Sequence, residues 1–318
     1  MVNRAQFGAL TAGAIAARGR PAFAQSPATF RFGVGNVESF ALAVYASEAG
    51  FFAKQGLDAQ INVFPGGGAG MEALAGGAID YAAGSWVASA NAHFGGLPVV
   101  AFAAGGCYNT LTPTLMLAVA KDNTSIRTGK DLTGKTISVA TIRDIQQAAI
   151  MKWVDATGGD SSTVRFIEMP ATVMVGALNS GHIDAASLTE PFVSSAKNNV
   201  QFVCKPYDMI AKRFMITAHF AKRDYLNQNA AQARKVAAAL AATAAWANTN
   251  QDKAGEILAR LSKLAPATIA AMARTEYVPT LDVALIEPVI AAAQQRNYVD
   301  RSIRTSDMLW TPPKGVAG

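Results

Sequence analysis

Cysteine and histidine are scarce in this chain of 318 residues: Cys107 and Cys204 are the only thiols, and His93, His182 and His219 the only imidazoles. Two thiols cannot build a disulfide framework or a four-thiolate zinc site, and no HxxH or HxxxH spacing occurs. A structural metal is therefore not expected and no cofactor motif is present. The cysteines read as separate free thiols, with pairing left open for an oxidising compartment. Charge is sparse as well, at 16 %, and aromatics make up only 8 %. Hydrophobic residues reach 51 %, much of it alanine. That composition excludes a disordered chain and suffices for one large or two medium cores. The net charge is +6 and the isoelectric point about 9.3. Yet Arg4, Arg18 and Arg20 fall in the first 24 residues, which hold no acid, leaving 25 basic against 22 acidic side chains beyond them. No run of five like charges occurs, and no basic stretch alternates with stacking aromatics, so nucleic acid is not an expected partner.

Long uninterrupted apolar runs are missing too. Tyr81 to Ala120 has no charged residue, but Asn91, Gly95, Gly96, Pro98, Gly105, Gly106 and Pro113 break it, so it reads as buried strands and turns. The N-terminus has the look of an export signal. Arg4 precedes the small, uncharged stretch Phe7 to Ala17, and Ala22-Phe23-Ala24 fits a signal-peptidase site before Gln25. Residues 1–24 are thus expected to be a signal peptide, an ordinary amphipathic arm being the alternative.

What the chain does have is an alternation of strand and helix, run through twice. Strands are expected at Phe30–Gly35, Ala59–Phe64, Ile79–Ala83 and Leu97–Phe102, with helices at Phe40–Ala49 and Ala69–Leu74. A second pass places strands at Thr136–Ala140 and Val164–Glu168 and helices at Asp144–Ala156 and Val173–Leu178. Ala73-Leu74-x-x-Gly77-x-Ile79-Asp80-x-Ala82 recurs as Ala177-Leu178-x-x-Gly181-x-Ile183-Asp184-x-Ala186, 104 residues later. Arg31 and Lys135, which open the first strands, share that offset, and Pro65 and Pro170 differ by 105. Two α/β lobes of like topology follow, with a cleft between them at the carboxyl ends of their strands. Phe214–Phe220 reads as a returning strand. Helices at Ala230–Ala247, Asp252–Leu264, Pro266–Arg274 and Val283–Gln295 form a tail expected to pack on the first lobe. Lobe 1 is set at residues 28–112 and 216–318 and lobe 2 at 113–215, with crossings near Thr112–Leu117 and Arg213–Thr217.

Three segments carry a family resemblance. Tyr45-Ala-Ser-Glu-Ala-Gly-Phe-Phe-Ala-Lys-Gln-Gly-Leu-Asp58 resembles the A-x-E-x-G-(aromatic)-F-x-x-x-G-L opening of the NMT1/THI5-like, sulfonate/nitrate/taurine type of periplasmic solute-binding proteins. Asp131-Leu-Thr-Gly-Lys-Thr-Ile137 is similar to their D-L-x-G-K-x-(aliphatic) segment, and Ala177 to Ala185 followed by Glu190-Pro191-Phe192 to their A-L-x-x-G-x-(aliphatic)-D-A and E-P pair. The similarity runs from about Phe30 to Asp307. It implies a two-lobed type II periplasmic binding protein, monomeric, that closes on a small molecule and delivers it to an ABC permease and its ATPase.

Ligand contacts are expected from loops after strands, which offer backbone N–H groups and helix N-termini. The candidates are Asn36, Glu38 and Ser39; the turn Gly66-Gly67-Gly68; Ser85 and Trp86; Asn109; Thr141, Arg143 and Asp144; and Glu190. The glycine run lacks the Lys-Ser/Thr of a phosphate loop and is a ligand contact or simply a tight turn. Trp86 either stacks on the ligand or packs in the core. Relatives carry a small hydroxylic pair where this chain has Ile142-Arg143-Asp144. Arg143 there either forks onto a carboxylate or sulfonate or pairs with Asp144 or Glu38 in solvent. A small organic anion is the first expectation, while Glu38 and Glu190 keep a zwitterion or an amino-pyrimidine in contention. No catalytic triad, acid/base motif or metal cluster stands out, so no catalytic residue is assigned. An enzyme resembling the pyrimidine synthase of this fold would need a cysteine-rich motif that is absent. A receptor-docked sensor domain stays open beside the importer subunit.

Overall fold

The computed structural model describes residues 28–64 and 67–313. The expected signal peptide, and Pro65 and Gly66 of the glycine turn, lie outside the described residues. The chain begins with β1 (Ala28–Gly35), α1 (Leu42–Glu48), α2 (Phe51–Lys54), β2 (Leu57–Phe64), α3 (Gly67–Ala75), β3 (Tyr81–Ser85), α4 (Trp86–Phe94) and β4 (Val99–Ala104). β5 (Gly106–Asn109) and β6 (Leu115–Ala120) lead into β7 (Thr136–Val139), α5 (Ile145–Ala156), β8 (Arg165–Glu168), α6 (Ala171–Asn179), β9 (Ala185–Thr189), α7 (Phe192–Ala196) and β10 (Val200–Cys204). The chain then returns through β11 (Arg213–Met215) and β12 (Thr217–Lys222). It ends with α8 (Arg223–Gln228), α9 (Ala230–Thr249), α10 (Gln251–Ser262), α11 (Pro266–Ala270), β13 (Glu276–Tyr277) and α12 (Val283–Gln295).

Two five-stranded sheets share one strand order, β2-β1-β3-β12-β4 and β8-β7-β9-β6-β10. In each, the first three strands run parallel and the fourth antiparallel. The repeated sequence has a repeated structural job. Asp80 accepts the backbone N–H of Arg31 at 2.8 Å and grips its guanidinium at 2.6 and 3.1 Å. Asp184 accepts the N–H of Thr136, also at 2.8 Å, and pairs with Lys135 at 3.4 Å. In both sheets the aspartate entering the third strand ties down the first, at the middle of β1 and at the start of β7.

The edges of the elements correct some expectations. Tyr81–Ala120 contains strands, as expected, but also the helix α4, begun by Ser85, whose hydroxyl accepts the N–H of Ala88 at 3.1 Å. Its buried Trp86, Val87, Ser89 and Ala90 leave no polar face for the sequence to display. Phe214–Phe220 is two strands, not one: β11 joins β5 and β13 in a three-stranded sheet, and the chain breaks at Ile216 before β12 enters the first five-stranded sheet.

Side-chain alternation sorts the core into layers. Phe30, Phe32, Tyr81, Val100 and Phe102 pack one face of the first sheet against α1, α9 and α10, whereas Ala82, Val99 and Ala101 face α3, α4 and α12. The second sheet is covered by α5 through Ile150 and Val154 and by α6 through Met174 and Leu178. The tail packs on the first sheet, and α12 also meets Ile145, Ala148 and Ala149 of α5 through Ile286, Val289 and Ile290. No described helix is long and apolar enough to cross a membrane. Cys107 is buried, Cys204 half-buried, and they are not joined.

Candidate functional site

Strands of both sheets end at one cavity of about 70 Å³. From the first sheet come Gly35, Asn36, Val37, Ser39 and Phe40 after β1, and Ser85 at the end of β3. From the second come Ala140, Thr141, Asp144, Ile145 and Gln146 after β7, and Thr189 and Glu190 after β9. Thr114, Tyr207, Ile216 and Thr275 close it from the segments that link the sheets and from the tail. A Cβ at Gly35 would lie 3.3 Å from the Phe40 ring, close enough that the ring would have to shift.

Ser85 and Asp144 join the two halves. Each caps a helix, Ser85 that of α4 and Asp144 that of α5, and the Ser85 hydroxyl donates to Asp144 Oδ2 at 2.6 Å. Asp144 Oδ1 accepts the N–H of Ile145 at 2.5 Å. Glu190 accepts the hydroxyl and N–H of Ser194 at 2.9 and 3.0 Å, and the N–H of Ala273 at 3.2 Å. Its own carbonyl takes the N–H of Glu38 at 3.4 Å. Burial pushes both Asp144 and Glu190 above the usual carboxylate range, against the hydrogen bonds they accept. Among the described residues lining the cavity these two carboxylates are the charged groups, and no Lys, Arg or His is present.

Glu38 sits behind this wall. It is 1 % exposed and paired with Arg274 Nε, and Oε2 accepts the N–H of Thr275 at 2.7 Å. Burial raises its carboxyl while the guanidinium pulls the other way. Arg274 is further held by the Gln251 carbonyl at 2.8 Å. Thr275, held on Glu38 through its N–H, itself lines the cavity.

Of the candidates from sequence, Asn36, Ser39, Ser85, Thr141, Asp144 and Glu190 are brought together around the cavity. Five are not. Glu38 lies beneath it. Gly67 and Gly68 begin α3, and Gly68 is not among the described lining residues. Trp86 is the first residue of α4, fully buried with its ring 5.2 Å from Phe220, because β3 runs straight into the helix without a loop. Asn109, in β5, bonds Glu276 at 3.3 Å and the N–H of Leu111 at 3.0 Å. Arg143 is turned outward. Its φ of +58° hands its N–H to Gln147 Oε1 at 2.7 Å. The guanidinium bonds the Asn297 carbonyl at 2.7 Å and covers the Tyr298 ring at 5.1 Å. Phe40, Gln146, Tyr207 and Thr275 were missed. Gln146 carried a weak signal as the second residue of α5, and Phe40 follows Ser39 directly; Tyr207 and Thr275 are placed by contacts remote in sequence.

A comparison with curated protein sequences finds no match. Solved structures of the same fold are numerous. The periplasmic aliphatic sulphonate binding protein SsuA from Escherichia coli is 18 % identical, with a TM-score of 0.73 over 92 % of this chain and 95 % of that one. The alkanesulfonate-binding protein SsuA from Xanthomonas axonopodis pv. citri, bound to MOPS, is 17 % identical, with a TM-score of 0.75 over 90 % and 99 %. The desulfurization enzyme DSZB, 13 % identical, also shares the fold, with a TM-score of 0.67 over 90 % and 96 %. The architecture is therefore that of the periplasmic binding proteins. The model of the family described as NMT1/THI5 like matches residues 38–254, more than half of the sequence. The chain belongs to the NMT1/THI5-like family.

Proposed function

We propose that this protein is the extracytoplasmic solute-binding component of an ABC importer, which holds a small organic molecule between its sheets and presents it to a permease and ATPase. The observation that carries this reading is the cavity walled by strand ends of both sheets, at the place where open α/β sheets take ligands. We assign lobe 1 to residues 28–112 and 216–318 and lobe 2 to 113–215, with the two linking segments as the hinge. We read the protein as a monomer, and the periplasmic sulphonate binding protein of like fold supports a periplasmic location. The plain-anion expectation rested on helix N-termini converging on the cleft, with Arg143 as an added contact. With that side chain held on Asn297, a zwitterion or amino-heterocycle has the better support.

A thermal-shift screen of taurine, alkanesulfonates, aromatic carboxylates, nitrate, amines and aminopyrimidines tests the reading. At least one compound should raise the melting temperature and be recovered chemically unchanged, as NMR of the incubated solute would show. Turnover of the hit would favour the enzyme reading that the DSZB fold keeps in view. A flat screen would contradict solute capture.

A further inference from the structure

We propose that Asp144 is the counter-ion of the solute: beside Ser85 it holds a positively charged nitrogen of an ammonium, amidinium or protonated amino-heterocycle, and it keeps plain anions out. This rests on the solute-binding reading above and adds the charge of the solute and the residue that sets it.

The start of α5 is where a bound anion would use free N–H groups and the positive end of the helix. Here that position is filled by the protein's own carboxylate, which accepts the N–H of Ile145 and the hydroxyl of Ser85. A second negative group at the same place would meet repulsion. Asp144 is 7 % exposed and has no ion-pair partner among the described residues. The neighbouring Arg143 is held on Asn297 and Tyr298 instead. A buried carboxylate without a counter-ion is destabilising, and a bound cation relieves that penalty. Each carboxylate oxygen accepts two hydrogen bonds and has been given one, so an acceptor site remains on both. Glu190 adds a second negative charge to the walls.

Calorimetric titration of the full chain tests this with butylamine, acetamidine and 4-aminopyridine as cations, taurine as zwitterion, and methanesulfonate, benzoate and nitrate as anions. Asp144→Asn removes the charge but keeps an equally good helix cap. Asp144→Ser serves the same purpose should the first variant melt early. The wild type should bind at least one cation or zwitterion and no plain anion, and the variant should bind that probe about tenfold or more weakly. A plain anion bound by the wild type, or an amine held equally by a folded variant, would overturn the assignment while leaving solute capture intact. Silence from every probe on wild type and variants alike would contradict solute capture itself, and the assignment with it.

Discussion

His219 is a base kept from its proton. It lies in β12, 2 % exposed, with Nδ1 2.8 Å from the Ala104 carbonyl and its ring against the edge of Phe32 at 5.6 Å. Burial pushes its pKa down to about 4. The unfolded chain takes up the proton near 6.5, so the neutral ring's contribution is complete above that pH and is lost as pH falls toward 4, by up to ~3 kcal/mol. Burial raises Asp144, Glu190 and Glu38, so these act in the opposite sense, stabilising the fold as pH falls. Urea unfolding at pH 7.5 and 4.5 separates the two: His219→Gln should lose less stability between these pH values than the wild type, and equal losses would contradict the assignment. Trp86 gives a second residue-scale outcome. Trp86→Phe should destabilise by ~1–3 kcal/mol through lost packing yet leave solute affinity within about twofold. A large affinity loss would restore the stacking role the sequence left open. Strand ends were legible from periodicity, which is why Asn36, Ser85 and Asp144 were found, whereas Glu190 stood out through the Glu190-Pro191-Phe192 segment of the family resemblance. Thr275 and Tyr207 were not, because their place depends on how the tail and the returning chain pack.

At the scale of elements, the 104-residue repeat gains a physical cause. Arg31 and Asp80 form a bidentate pair with the aspartate side chain 15 % exposed, whereas Lys135 meets Asp184 at 3.4 Å with that side chain 35 % exposed. Both aspartates also accept a backbone N–H. Asp80→Ala should therefore cost about 2 kcal/mol and Asp184→Ala about 1 kcal/mol or less, since a forked, shielded contact outweighs a single exposed one. Equal losses in denaturant titrations, or a larger loss at Asp184, would contradict the comparison. The repeat was readable because this contact fixes residue types at a set spacing. α4 was not, because a helix buried on most sides shows no amphipathic period. The division at Ile216 was hidden as well, since one apolar run serves two sheets.

At the scale of the molecule, polar contacts bridge the two sheets around the cavity: Ser85 to Asp144, Glu38 to the Glu190 carbonyl, Ala273 to Glu190, and Arg143 to Asn297. Farther out, Arg296 of the tail bonds Asp155 of α5 at 2.7 Å. On the two-lobe assignment proposed above, the halves would turn about the crossings near Thr112–Leu117 and Arg213–Thr217, parting these contacts to admit a solute. The two-lobed plan was legible from the double pass of strands and helices. The bridging role of α12 was not, because an apolar helix does not reveal which surfaces it joins. Small-angle scattering of the protein freed of solute, and again at saturation with the strongest hit of the screen, tests capture between the lobes most directly. A smaller radius of gyration in the saturated protein is expected, whereas an unchanged radius at proven saturation would contradict closure on the solute.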